Sequence, residues 1–283
     1  MNNLTFVRGE REPEALDPVS RQILDAGSGT SIFDPVLCEL AYRWFCPPGG
    51  LVLDPFAGGS ARGIVASRLG RRYVGIDLRP EQVEANRAQG KALCGEPIPA
   101  WIEGDSLHVR ELAAGIEADF VFSCPPYADL ERYSDDPRDL STMPYPEFRE
   151  RYARIIANTL MLLREDRFAA FVVGDVRGPD GFYRGFPWHT IDAFEHAGAR
   201  LYNELILVTA VGSLPVRAGR AFAASRKIGK THQQVLVFCK GDPVRATEAC
   251  GACEFGELTP DDAEPEDDAE DEAQDATDDG SPA

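Results

Sequence analysis

The sequence has no uninterrupted apolar run of about 18 residues, the length a membrane-spanning helix needs, so a soluble chain is expected. Its amino terminus, MNNLTFVRGEREPE, lacks the basic and apolar regions of a signal peptide, which points to an intracellular, cytoplasmic location. No internal repeat is visible, which argues against solenoid and propeller architectures. The seven cysteines (38, 46, 94, 124, 239, 250 and 253) follow no framework spacing, so reduced thiols are expected rather than disulfides. Cys250-Gly-Ala-Cys253 has no second pair and no histidine partner, and no metal site is expected. Lys and Arg are absent from residues 254–283, which hold fourteen Asp and Glu.

That last absence explains the net charge of −18. Of 47 acidic residues, 33 remain in residues 1–253 against 29 Lys and Arg, a net of −4 for the body of the chain. A nearly balanced body is compatible with a nucleic-acid partner; the acidity belongs to a tail. Two readings of the tail stand side by side: a solvated, disordered segment that aids solubility, or a polyanion that competes with nucleic acid for basic surface. The expected organisation is an irregular segment over residues 1–30, broken by Pro13, Pro18 and DAGSGTS, one domain over 31–245, and a disordered acidic tail over 246–283.

Within the domain, helical and extended patterns alternate. Asp34 can cap a helix opened by Pro35, in which Val36, Leu37, Leu40, Ala41 and Trp44 recur at helical spacing up to Pro47. Strands are expected at Leu51–Leu53, Tyr73–Leu78, Ala100–Glu103, Asp119–Ser123 and Phe168–Asp175. Helices are expected over Ile64–Leu69, from Pro80 to about Gln89, and along the face marked by Phe148, Tyr152, Ile155, Ile156, Thr159 and Leu163. This alternation predicts an α/β, doubly wound, mostly parallel sheet. After a helix near His189–Ala197, LILVTAV and QQVLVFCK are separated by a basic loop read without a helix. Two such strands lie antiparallel, so one strand of the sheet should be reversed.

In open α/β sheets ligands bind outside the carboxyl ends of the strands, and here those ends carry small or acidic residues. Asp54, Gly58 and Gly59 follow the first strand; the glycines permit a tight turn and close backbone approach, and the next helix start favours an anion. Asp77 ends the second strand, where a carboxylate can accept from a ribose diol, and Asp105 follows the third as an acceptor for an adenine amino group. The fourth strand runs into FSCPPY, where two prolines stop the ladder and present Cys124, Pro125, Pro126 and Tyr127.

In this order and spacing, LVLDPFAGGSARG, YVGIDLRPEQ and SCPPY resemble the cofactor, ribose and catalytic motifs of the DNA methyltransferases that act on adenine N6 or cytosine N4. SIFDP resembles the segment beside the cofactor's methionine end, and GKTHQQVLVFCK the family's last strand, so the likeness covers residues 31 to 242. The resemblance implies S-adenosylmethionine as cofactor, DNA as partner, and a seven-stranded Rossmann-like sheet with one reversed strand. It implies cofactor contacts at Phe33, Asp34, Asp54, Phe56, Gly58, Gly59, Asp77 and Asp105, and a catalytic turn of Ser123, Cys124, Pro125, Pro126 and Tyr127. In that turn the Pro125 carbonyl accepts an amino hydrogen and Tyr127 stacks on a flipped base.

Two departures matter. Gly59, Ser60 and Ala61 stand where Ser, Gly and Thr are usual, and Cys124 stands where the family has Asp, Asn or Ser. A neutral thiol is a weak acceptor, so Cys124 is read as a degraded but sufficient acceptor, as one assisted by Ser123 or Asp175, or as a covalent nucleophile on a pyrimidine. Arg217, Arg220, Arg226, Lys227 and Lys230, with Phe222, form the candidate nucleic-acid contact, and residues 128–145 a candidate lid. RNA or a protein amide as acceptor, or a weakly active cofactor-binding protein working through its tail, are the alternatives.

Overall fold

The computed structural model describes residues 33–128, 132–209 and 214–253. The irregular segment expected over residues 1–30 and the acidic tail from residue 254 lie outside the described residues.

Seven strands form one sheet: β1 (Leu51–Asp54), β2 (Arg72–Asp77), β3 (Ala100–Glu103), β4 (Ala118–Ser123), β5 (Leu163–Val173), β6 (Ala199–Val208) and β7 (His232–Lys240), in the order β3-β2-β1-β4-β5-β7-β6. Neighbours from β3 across to β5 pair in parallel. β7 pairs antiparallel with both β5 and β6 and is the reversed strand that the sequence pattern predicts. The chain moves outward from β1 to β3 and returns to β4 on the other side of β1. This reversal opens a crevice at the carboxyl ends of β1 and β4.

Alternate residues of each strand point to opposite faces, and in the centre of the sheet both faces are buried, whereas the edge strand β6 is mostly exposed. On one face Leu53, Val121, Ala169, Phe171 and Val173 pack with Phe148, Tyr152 and Phe186. On the other, Val52, Phe120, Phe122, Ala170 and Val172 pack with Leu37, Ala41 and Tyr42. The helices that supply those layers are α1 (Pro35–Phe45), α2 (Ala61–Arg68), α3 (Pro80–Leu93), the single turn α4 (Val109–Leu112), α5 (Tyr145–Leu160), α6 (Phe186–His196), α7 (Leu214–Ser225) and α8 (Pro243–Cys250). α1 starts as the sequence predicts: Asp34 Oδ1 accepts from the N–H groups of Val36 (2.8 Å) and Leu37 (3.3 Å).

Three expectations are corrected. The basic connection between β6 and β7 is not a bare loop but contains α7, where Leu214, Ala218 and Ala221 turn toward the protein at helical spacing. α2 begins at Ala61 rather than Ile64, directly on the glycine turn. The boundary at residue 245 falls inside α8, which Asp242 caps and whose Ala246 and Cys250 are buried against the second core layer. Among the described residues no helix is long and apolar enough to cross a membrane, and no group of His, Cys, Asp and Glu is arranged to hold a metal.

Candidate active site

β1 ends in a turn that a buried ionic network holds in place. Asp54 is fully buried, and its Oδ1 accepts from the backbone N–H of Phe56 (3.0 Å) and from Ser123 Oγ (2.5 Å). Its Oδ2 accepts from Arg62 Nε (2.6 Å) and Tyr73 OH (2.7 Å). Arg62 in turn donates through Nη2 to the carbonyls of Phe56 (2.7 Å) and Ala57 (2.9 Å), and its guanidinium lies 4.5 Å from the Phe33 ring centroid. Two carboxylate oxygens with four donors, and a buried cation with a carboxylate and two carbonyls, satisfy charges that burial would otherwise make costly. The backbone that leaves this network has Gly58 at φ +50, where an added Cβ would meet nothing within 4 Å, nor would one on Gly59. Asn86 Nδ2 donates to the Gly58 carbonyl (2.7 Å) and fixes the turn from α3.

Asp77 closes the other side of the turn. Its Oδ2 accepts from the Gly58 N–H (2.9 Å) and its Oδ1 from the Arg79 N–H (2.9 Å). Burial pushes its carboxyl above the usual range, opposed by the Arg79 backbone donor and guanidinium. Asp105 caps the short 3₁₀ turn after β3 through Leu107 N (2.9 Å) and pairs with Arg151 Nη2 (2.5 Å).

At the end of β4, Ser123 and Pro125 are buried and Cys124 and Pro126 half-buried. Tyr127 folds back, only 6% exposed, with its ring edge-on to Phe186 at 5.7 Å. Its hydroxyl accepts from Gln233 Nε2 (2.6 Å), donates toward the Val172 carbonyl (3.4 Å), and lies 3.9 Å from Cys124 Sγ. Burial pushes the phenol well above its ordinary pKa, so it stays protonated and cannot serve as a base near neutrality. The next residue, Ala128, has φ +52, a conformation a non-glycine residue adopts at a cost.

These pieces line one cavity of about 890 Å³, within the usual range of small-molecule sites. Phe33, Phe56, Gly58, Gly59, Asp77 and Asp105 border it, as do Cys124, Pro125, Pro126 and Tyr127. Tyr133, Arg138, Asp139 and Leu140 from the expected lid line it as well; residues 129–131 lie outside the described residues. Three expected site residues are elsewhere. Asp34 spends its carboxylate on the α1 cap, while Asp54 and Ser123 lie beneath the cavity wall, bonded to one another. Ser123 Oγ donates to Asp54, is fully buried and does not border the cavity, so it does not supply a replacement acceptor there. Asp175, the other alternative, caps α6 through Gly185 N (2.9 Å) and Phe186 N (3.2 Å) and does not border the cavity.

The residues fit a nucleoside cofactor with a charged amino-acid end. The glycine cradle is open where a Cβ would intrude, no side chain caps the start of α2, and two carboxylates, Asp77 and Asp105, border the cavity and would accept from hydroxyl and amino donors.

Of the expected nucleic-acid residues, Arg220 and Arg226 are exposed and Lys227 and Lys230 half-buried; the side chain of Arg217 lies outside the described residues. Lys230 Nζ is 5.4 Å from the Tyr183 ring centroid, and Arg177 lies 3.8 Å over the same ring. Sequence reasoning missed Arg62, Gln233 and this Arg177–Tyr183 element. Only the aromatic pair Phe182-Tyr183 between two arginines and glycines gave a signal.

Comparison with known proteins agrees over the cofactor half. Residues 37–88 match the family model described as "DNA methylase". The type II methyltransferase M.XycI of Xanthomonas campestris pv. cyanopsidis is 41% identical over 68 residues, and M.Cfr9I of Citrobacter freundii 50% identical over 68 residues. In each case the match spans 23% of this chain and 23% of the relative. The structure of TrmN from Thermus thermophilus superposes with a TM-score of 0.50 at 18% identity, covering 78% of this chain and 53% of that one, a likeness of fold alone. The matched stretch holds the glycine turn and Asp77, so it supports S-adenosylmethionine as the cofactor expected there. The chain thus has a Rossmann-like methyltransferase fold, and over its cofactor segment the resemblance to the DNA amino-methyltransferases is borne out.

Proposed function

We propose that the chain transfers a methyl group from S-adenosylmethionine to an exocyclic amino nitrogen of DNA, adenine N6 or cytosine N4. The observation that carries this reading is the single cavity bordered by the glycine turn, Asp77 and Asp105 and also by Cys124, Pro125, Pro126 and Tyr127. When bound, S-adenosylmethionine supplies an electrophilic methyl group on a sulfonium centre.

Gly58 and Gly59 admit the ligand backbone-close, and the uncapped start of α2 offers N–H groups to a carboxylate. Asp77 accepts from ribose hydroxyls and Asp105 from an amino group. At the other end the target nitrogen is a poor nucleophile because its lone pair is delocalised into the ring. The Pro125 carbonyl, held by the Pro-Pro unit, and the Cys124 side chain accept its two hydrogens and turn the lone pair toward the methyl group. Holding the reacting atoms in line supplies most of the acceleration, since effective molarities reach about 10⁵ to 10⁸ M. Tyr127 borders the cavity, but it is only 6% exposed, its hydroxyl is bonded to Gln233 and its ring packs on Phe186, so the stacking role expected of it requires the ring to be uncovered when a base enters.

Incubation with methyl-labelled S-adenosylmethionine and DNA, RNA or protein, followed by digestion, tests the proposal. Label in N6-methyladenine or N4-methylcytosine is expected. Label confined to RNA or protein would replace the DNA reading, and absence of transfer with intact cofactor binding would favour a binding protein.

A further inference from the structure

The segment between β5 and α6 is a small hairpin. Arg177 and Tyr183 form an antiparallel bridge, Arg184 N donates to the Val176 carbonyl (2.8 Å), and Gly178 N donates to the Phe182 carbonyl (2.9 Å). Gly181, at φ +86, turns the tip. Phe182 stands there 75% exposed, and Trp188, on the first turn of α6, is 78% exposed.

The hairpin is bordered by cations. Besides the Arg177 and Lys230 contacts with Tyr183, Arg184 lies 4.6 Å over the Tyr145 ring, and Lys227 Nζ lies against Gly181, 3.3 Å from where its Cβ would be. Across the β6–β7 connection Arg226 lies over the exposed Phe222 ring at 5.1 Å. Residues 175–190 and 214–232 together hold seven Lys and Arg against two carboxylates, Asp175 and Asp180. Both carboxylates are engaged locally, Asp175 at the α6 cap and Asp180 with Phe182 N (3.1 Å). The surface adjoins the catalytic turn: a Cβ placed on Gly174, three residues before Arg177, would lie 3.5 Å from the Tyr127 ring, and Gln233, three residues after Lys230, donates to its hydroxyl.

Exposed aromatic faces alternating with cations match a strand that offers phosphates and free base faces together. A duplex offers the phosphates but keeps its base faces stacked inside. We propose that the Arg177–Arg184 hairpin, with Trp188, Phe222, Arg226, Lys227 and Lys230, is a docking platform for single-stranded DNA flanking the target base. The strand's bases stack on Phe182 and Trp188. The proposal rests on reading the adjacent cavity as a base-methylating site.

Trp44 and Trp101 are half-buried and buried, so quenching of tryptophan fluorescence reports mainly on Trp188. The full chain is titrated with a labelled deoxyoligonucleotide, its duplex and the ribo-oligonucleotide of the same sequence, following fluorescence and anisotropy at two salt concentrations. Single-stranded DNA should quench Trp188 and bind at least tenfold tighter than duplex. Phe182→Ala should weaken it roughly 5- to 150-fold, the effect of about 1 to 3 kcal/mol per stacked base, without changing the melting temperature. Lys227→Gln should weaken it less and lower the salt dependence. Equal binding of duplex, preference for the ribo-oligonucleotide, or a neutral Phe182→Ala overturns the platform. Methyl transfer to duplex DNA with those results would leave the enzymatic reading standing. Tight single-strand binding without transfer to any substrate would do the reverse.

Discussion

At the residue scale, Asp77 and Cys124 carry opposite liabilities. Asp77 is an acid whose carboxyl burial pushes above its ordinary value, so the folded chain keeps a proton over a pH range in which the unfolded chain has lost it. Stability from this group is therefore present at lower pH and lost as pH rises through that range, while cofactor binding needs the ionised form and weakens as pH falls through it. Asp77→Asn should leave the melting temperature of the free protein nearly unchanged at neutral pH, because loss of one backbone partner is offset by relief of a desolvated charge. Its affinity for S-adenosylmethionine should fall roughly 10- to 100-fold, as loss of a charge-assisted hydrogen bond implies. Calorimetric titration measures it; unaltered affinity would remove Asp77 from the site. Cys124 borders the cavity where an oxygen acceptor would serve better. Since a hydroxyl of nearly the same size accepts more strongly than a thiol, Cys124→Ser should raise single-turnover methylation about tenfold, roughly 1.4 kcal/mol of barrier. A complete loss of transfer in that variant would instead identify the sulfur as a nucleophile.

At the element scale, the turn after β1 depends on a residue in α2. Arg62 ties Asp54, Phe56 and Ala57 together, so the cofactor cradle is shaped by a buried ion pair rather than by glycine alone. Arg62→Met leaves Asp54 buried with only Tyr73, Ser123 and a backbone donor, and should cost about 3 to 5 kcal/mol in urea denaturation. Arg62→Met combined with Asp54→Asn should recover most of that loss; a double variant as unstable as the single would show that packing, not charge, holds the turn. The parallel strands were legible in the sequence because β1, β4 and the second half of β5 are short apolar runs ended by Asp, Pro or Gly. The reversed strand was legible because two apolar runs follow α6 in quick succession. α7 was not, because Pro215, Gly219 and closely set cations hide its helical spacing. The inward turn of Asp54 and Ser123 was equally hidden: both sit in motifs that touch ligands, but whether an acid at a strand end faces the ligand or a buried arginine depends on neighbours distant in the chain. Tyr127 illustrates the same limit, since its partners Val172 and Gln233 lie 45 and 106 residues away.

At the scale of the whole molecule, charge is distributed in two blocks of opposite sense. Residues 214–232 carry five Lys and Arg and no acid, while residues 254–283 carry fourteen acids and no Lys or Arg. If the tail acts as a competitor, it would do so at an effective concentration set by the intervening chain and without any specific contact. The competition is electrostatic, so it must weaken as salt shortens the screening length from about 30 Å at 0.01 M to about 10 Å at 0.1 M. Ending the chain after Cys253 should therefore tighten binding of an oligonucleotide several-fold at low salt, and the gain should shrink steadily toward physiological salt. Cofactor affinity should not change, because the cofactor contacts proposed at the glycine turn, Asp77 and Asp105 include none of the cations of residues 214–232. Anisotropy titrations of the full and shortened chains across a salt series measure both effects. A gain that persisted undiminished in high salt would require a specific contact of the tail, and no gain at low salt would dismiss the competition.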